Sequence, residues 1–173
     1  MALRFHNLSI LIAEDNKAMM SLLTAVLNTL AFKDIYKAGN GKEAWRLFQL
    51  HKPDIVLTDW EMDEITGIEL VRKIRTDQQS VNRIVPIVIL TGYALPERIK
   101  EARDAGVTEF LVKPFMAKAL INRIAHVINK PRDFVETDTF VGPDRRRLET
   151  EEFNPERRKN RDIPKIEFIE KEE

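Results

Sequence analysis

The chain has 173 residues, with 28 Lys and Arg against 28 Asp and Glu, and no cysteine. Zero net charge gives no global pull toward nucleic acid or anionic lipid, and the lack of thiols excludes disulfides and thiolate-held metals. No apolar run approaches the ~20 residues of a membrane helix, and the first one, in "MALRFHNLSILIAEDN", leads straight into two acids as a buried strand does and a signal peptide does not, so a soluble cytoplasmic protein is expected. In chain order the predicted elements alternate. "LSILIA" (8–13) reads as a strand, and "MSLLTAVLNTL" follows with Leu22, Leu23, Val26, Leu27 and Leu30 on one helical side. "FKDIYKA" (32–38) is a second strand, followed by the helix "GKEAWRLFQL". "DIVLTD" (54–59) is the third, followed by "GIELVRKI". "IVPIVILT" (84–91) is the fourth, and "PERIKEARDAG" has Pro96 near its first turn and Gly106 at its end. "TEFLVK" (108–113) and "MAKALINRIAHVI" complete the series.

Strict alternation with strands that are apolar throughout predicts an α/β fold, a doubly wound, five-stranded parallel sheet covered by helices on both faces. In such sheets the working site lies at the carboxyl ends of the strands. At those ends stand Glu14 and Asp15 after the first strand, Asp59 on the third, Thr91 on the fourth and Lys113 on the fifth. Three carboxylates at one edge repel one another unless a hard cation neutralises them, and oxygen donors suit Mg2+. A lysine and a hydroxyl facing them suit the oxygens of an anionic group. A carboxylate that becomes phosphorylated needs the same parts, a metal on one side and Lys and Thr on the other. His6, His51 and His126 share no motif and are expected to hold no metal; Trp45 is expected in the core.

The ordered series "LIAEDN…VLTDWEMDEITGIEL…VILTGYA…FLVKPF" resembles the receiver domain of bacterial response regulators, the CheY-like, flavodoxin-type fold, over about residues 7–129. The resemblance implies that Asp59 is the phosphoacceptor. It implies Mg2+ held by Glu14, Asp15, Asp59 and the backbone carbonyl of Glu61, with Thr91 as switch hydroxyl and Lys113 as the cation facing the phosphoryl group. It also implies a cis Lys113–Pro114 bond, a histidine kinase as partner, and Phe110 in the place of the switch aromatic. No turnover enzyme is expected beyond phosphorylation and dephosphorylation of Asp59 itself. Asp63 stands where the family usually has proline, the loop "TDQQSVNR" (76–83) is long, and Trp60 and Tyr93 add aromatic bulk beside the site.

Two domains are expected, a receiver over 1–129 and an arginine-rich tail over 130–173 that is largely disordered when free. The tail carries 11 Lys and Arg against 13 Asp and Glu and too little Leu and Val to bury a core. Within it, "GPDRRR" (142–147) is echoed by "NPERRK" (154–159). Arginine forks match the O6 and N7 acceptors of guanine, a carboxylate accepts from its N1–H and N2–H edge, and guanidinium stacks on purines. An acid beside two arginines, twice, therefore suits a ligand with two guanines and two phosphates, namely cyclic di-GMP. The tail is similar to the arginine-rich extension of the Cle proteins, CheY-like cyclic di-GMP effectors of flagellated alphaproteobacteria. That resemblance implies nucleotide binding by Asp144, Arg145, Arg146, Arg147, Glu156, Arg157, Arg158 and Arg161. It also implies action on the flagellar motor switch protein, recruitment to the flagellar pole, and control of motility or surface attachment. Two other readings stand beside it: a stand-alone chemotaxis or phosphorelay receiver with a passive tail, and a regulator associated with RNA or DNA. DNA binding is not expected, because 44 mixed-charge residues are too few for an output domain.

Overall fold

A computed structural model describes residues 4–137 and 139–144. Five parallel strands are β1 (Ser9–Ala13), β2 (Asp34–Ala38), β3 (Ile55–Asp59), β4 (Ile87–Thr91) and β5 (Glu109–Val112), in the order β2-β1-β3-β4-β5. The helices are α1 (Lys17–Thr29), α2 (Gly41–His51), α3 (Gly67–Thr76), α4 (Pro96–Ala105) and α5 (Ala117–Asn129). Every residue of the central strands β3 and β4 is buried, as their unbroken apolar runs require of strands covered on both faces. Alternate strand residues feed two cores. Leu11, Val56 and Ile89 join Phe48, Val71 and Ile74 of α2 and α3. Ile10, Leu57 and Leu90 join Leu23, Leu27, Leu120 and Ile124 of α1 and α5.

Local sequence starts three of the helices. The Asn16 side chain accepts from the Met19 N–H at the head of α1, and Asn40 does the same for Glu43 at α2. Thr66 and Glu69 form a reciprocal capping box at α3. The α4 helix begins at Pro96 with no side-chain cap, and ends at Gly106, whose φ of 91° suits a residue without Cβ. All five strands begin later than expected, β2 and β4 by more than one residue. In β4 Pro86 has no N–H, so the ladder opens with its carbonyl accepting from Val56 N–H at 2.9 Å. In β2 Phe32 packs against the α1–α5 core from the preceding loop. On α1 the buried stripe is Leu23, Leu27 and Leu30, while Leu22, one residue off that period, is 51% exposed.

The receiver does not end the ordered chain at residue 129. Residues expected in the tail form an antiparallel hairpin of β6 (Phe134–Thr137) and β7 (Phe140–Pro143), paired from Phe134↔Pro143 to Thr137↔Phe140. It packs on the carboxyl ends of α3 and α4 and buries Val141. Gly142 lies so close to Gly106 that a Cβ on it would come within 2.8 Å of the Gly106 Cα. Beneath the hairpin the Arg75 side chain is wholly buried. Its Nε donates to Gly106 O at 3.0 Å and its Nη1 to Arg83 O at 2.8 Å, and Phe134 covers the guanidinium at 4.9 Å. Arg83 in turn pairs with Glu136 at 2.8 Å. The hairpin closes with Asp144 N–H donating to Asp133 O at 2.7 Å. No described helix is long and apolar enough to cross a membrane.

Candidate phosphoacceptor site

The parallel sheet brings Glu14, Asp15, Asp59, Thr91 and Lys113 to one edge because each sits at or just past the carboxyl end of its strand. Glu14 and Asp59 are buried and Asp15 is exposed. Their carboxylate oxygens lie within 4.8 Å of one another. Asp59 Oδ1 accepts from its neighbour's backbone, Trp60 N–H, at 2.8 Å and pairs with Lys113 Nζ at 3.0 Å. The same ammonium reaches Glu14 Oε2 at 3.1 Å, and Glu14 Oε1 accepts from Asn16 N–H at 3.1 Å. The Lys113–Pro114 peptide bond is cis.

Close packing under the acceptor comes from Gly67, the first residue of α3. Its N–H donates to Trp60 O at 2.8 Å, and a Cβ there would collide with the Asp59 carbonyl. The Thr91 hydroxyl donates to Tyr93 O and accepts from Tyr93 N–H, both at 3.1 Å. It is therefore engaged with its own loop. Glu61, two residues past the acceptor, extends its exposed carboxylate to Arg98 Nη2 at 3.0 Å.

The electrostatics favour a cation. Burial, and then the Asp59 charge, hold the Glu14 carboxyl above the ordinary carboxylate range despite the Lys113 bond. Burial likewise holds Asp59 above it, against the pull of Lys113. For Lys113 burial pulls downward, but the Asp59 and Glu14 carboxylates outweigh it and keep the ammonium above its ordinary value. One ammonium thus faces three carboxylates, and hard oxygen donors gathered this closely fit Mg2+. The sign for stability follows. A carboxyl whose folded pKa is raised stabilises the fold below its unfolded pKa, and that contribution is lost as pH rises through the folded pKa. At neutral pH the ionised cluster therefore destabilises the fold. Millimolar Mg2+ should raise the thermal midpoint at neutral pH, and the gain should shrink as the pH falls into the raised carboxyl range. A Mg2+ effect that is the same at both pH values would contradict this arrangement.

Among the sequence-derived site residues, the structure brings together Glu14, Asp15, Asp59 and Lys113, with Thr91 on the adjacent strand end and Glu61 at the rim. Phe110 is half-buried against the α2–α4 core. Asp144 stands at the hairpin's end, whereas Arg145, Arg146, Arg147, Glu156, Arg157, Arg158 and Arg161 lie outside the described residues. So does Phe153. Trp45 is partly buried against the core, and His51 stacks on Tyr36 at 4.0 Å. Sequence reasoning singled out Trp60 and Tyr93 but missed Arg98, which lies over both rings, at 4.9 and 5.4 Å. The available signal was an arginine in the first turn of a helix that follows two site aromatics.

A doubly wound parallel sheet with this acid, hydroxyl and ammonium set at its carboxyl edge defines a CheY-like receiver, a phosphorylatable signalling module. The response regulator receiver domain family matches residues 10–125, and the chain belongs to that family. The transcriptional regulatory protein PdtaR of Mycobacterium tuberculosis is 36% identical over 82% of this chain, which spans 66% of that protein's length. The chemotaxis protein CheY-3 of Vibrio cholerae is 32% identical over 72% of the chain and 94% of its own. Among solved structures, the receiver domain of the sensor histidine kinase PA1611 from Pseudomonas aeruginosa PAO1 superposes with a TM-score of 0.60 and 29% identity. It covers 69% of this chain and 94% of that one, and it holds a magnesium ion in its active-site cleft.

Proposed function

We propose that this receiver takes a phosphoryl group on Asp59 from a histidine kinase or a small acyl phosphate. The observation that carries the reading is Lys113 Nζ lying between Asp59 and Glu14 at the edge of a three-carboxylate cluster. In the transfer an Asp59 carboxylate oxygen forms a bond to phosphorus as the bond to the donor breaks, and the donor keeps that electron pair. Mg2+, held by Glu14, Asp15, Asp59 and the Glu61 carbonyl, would neutralise charge on the transferring oxygens. Lys113 offsets the remaining negative charge, and the Thr91 hydroxyl is the donor that closes on the phosphoryl group afterwards. The magnesium seen in the PA1611 receiver supports this assignment.

We propose that the doubled acid–Arg–Arg unit binds cyclic di-GMP, and that the bound form acts at the flagellar motor switch and gathers at the flagellar pole. Its support is the repeat itself, together with relatives named as chemotaxis proteins. The described residues reach Asp144, so the first copy begins with Gly142 and Pro143 in β7 and its acid stands at the hairpin's end. The test is a calorimetric titration of cyclic di-GMP into the full chain and into an Arg145→Ala, Arg146→Ala, Arg147→Ala, Arg157→Ala, Arg158→Ala variant. Saturable binding by the parent that disappears in the variant supports the effector reading. Silence from the parent chain overturns it and leaves a receiver with a passive tail. Binding that survives the variant places the nucleotide elsewhere and also sinks this assignment.

A further inference from the structure

We infer that Arg98 is a positioning residue that latches the receiver in its resting arrangement, by clamping Tyr93 of the switch loop against Trp60 beside the acceptor. The inference rests on the reading of Asp59 as phosphoacceptor and Thr91 as the hydroxyl that closes on it. The Arg98 guanidinium lies 4.9 Å from the Trp60 ring and 5.4 Å from the Tyr93 ring, and its Nη2 pairs with Glu61 at 3.0 Å. Its Nη1 is buried with no hydrogen-bond partner among the described residues.

The two rings differ in freedom. Trp60 is 6% exposed, and its backbone N–H is bonded to Asp59 Oδ1, so it is a fixed wall. Tyr93 is 54% exposed and sits in the loop that joins β4 to α4. Arg98 holds this more exposed ring to the fixed one. The same clamp attaches the head of α4, which has no side-chain cap of its own, unlike α1, α2 and α3.

The clamp's consequence runs through Thr91. Its hydroxyl is bonded to both the N–H and the carbonyl of Tyr93. To reach a phosphoryl oxygen on Asp59 it must leave at least one of those bonds. Where the loop follows the hydroxyl to which it is bonded, the Tyr93 backbone moves with it and the ring leaves the guanidinium. The contact with Tyr93 is thus made in the resting arrangement and broken in the closed one. A contact present in only one state shifts the equilibrium by its own free energy. Arg98 therefore makes closure harder, and weakening it should make a phosphoryl group bind more tightly.

The test uses beryllofluoride with saturating Mg2+ as the phosphoryl analogue, with binding followed by the backbone amide signals of Thr91 and Gly92. The parent chain is compared with Arg98→Ala, Arg98→Lys and Tyr93→Ala, and with the Arg98→Ala, Tyr93→Ala double variant. Arg98→Ala should bind the analogue roughly two- to fivefold more tightly, from the typical strength of an exposed cation–ring contact. Arg98→Lys, with the charge but not the planar fork, should fall between it and the parent. Tyr93→Ala should match Arg98→Ala, and the double variant should gain little more than either single one. Thermal midpoints taken in parallel separate this from a structural role, which would lower stability and leave analogue affinity where it was. Unchanged or weaker affinity in Arg98→Ala, or in Arg98→Lys should the alanine variant fail to fold, overturns the latch. Failure of the parent chain to bind the analogue overturns the phosphoacceptor reading, and the latch with it.

Discussion

Asp59→Asn should abolish phosphoryl incorporation while making the fold more stable. After incubation with acetyl phosphate and Mg2+, the parent chain should gain the mass of one phosphoryl group, and the variant none. Asparagine keeps the shape, but its amide is not a nucleophile that can form an acyl phosphate. The stability gain has a separate cause. Asp59 is 9% exposed, and burial holds its pKa above the ordinary value, so its ionised form is disfavoured in the fold at neutral pH. The neutral amide avoids that penalty, and Lys113 keeps Glu14 as a partner at 3.1 Å. The thermal midpoint should rise by a few degrees, as replacements at strained functional sites often do. A variant that still incorporates phosphoryl would move the acceptor to another carboxylate. A lowered midpoint would mean that the Lys113–Asp59 bond outweighs the burial penalty.

Arg75→Ala should destabilise the protein by about 3–5 kcal/mol, the range for leaving a buried polar network without its donor and opening a large cavity. The guanidinium is wholly buried, and burial pushes its pKa down to about 9, so it remains charged at neutral pH. Gly106 O and Arg83 O are its acceptors, and Phe134 covers its face. Truncation strands two carbonyls and removes the bed on which the β6–β7 hairpin lies. Urea unfolding measures the loss, and limited proteolysis should show new cuts near residues 134–143 that the parent chain resists. Arg75→Met is the informative companion. It keeps most of the volume and removes a buried charge whose Nη2 has no hydrogen-bond partner among the described residues, so its cost should be well below that of alanine. A cost below about 1 kcal/mol for Arg75→Ala, within the range of ordinary surface substitutions, would contradict the buried network.

Much of this architecture was legible because buried parallel strands read as continuous apolar runs. "DIVLTD" and "IVPIVILT" left little choice of element, and chain order then put Glu14, Asp15, Asp59, Thr91 and Lys113 at one edge. The hairpin was not legible. "FVETDTFVGP" has two strands of four residues, one ending in proline, and its composition is that of a solvated segment. What holds it is distant in sequence: Gly106 at the end of α4 and the aliphatic and guanidinium surface of Arg75 on α3. Arg75 itself reads as an ordinary basic residue in a last helical turn, where it would favour the helix dipole from the surface. Only the tertiary fold shows that it is buried. Arg98 escaped for a related reason, since its two aromatic partners come from different strand ends.

A phosphoryl group on Asp59 can be located chemically. The full chain is phosphorylated with acetyl phosphate and Mg2+, reduced with borohydride, digested and mapped by mass spectrometry. Borohydride converts an aspartyl phosphate to homoserine, so the modified side chain is read by position. Homoserine is expected at position 59, dependent on Mg2+ and absent when the metal is chelated. Homoserine at Asp15 or any other aspartate, or none anywhere, would contradict it.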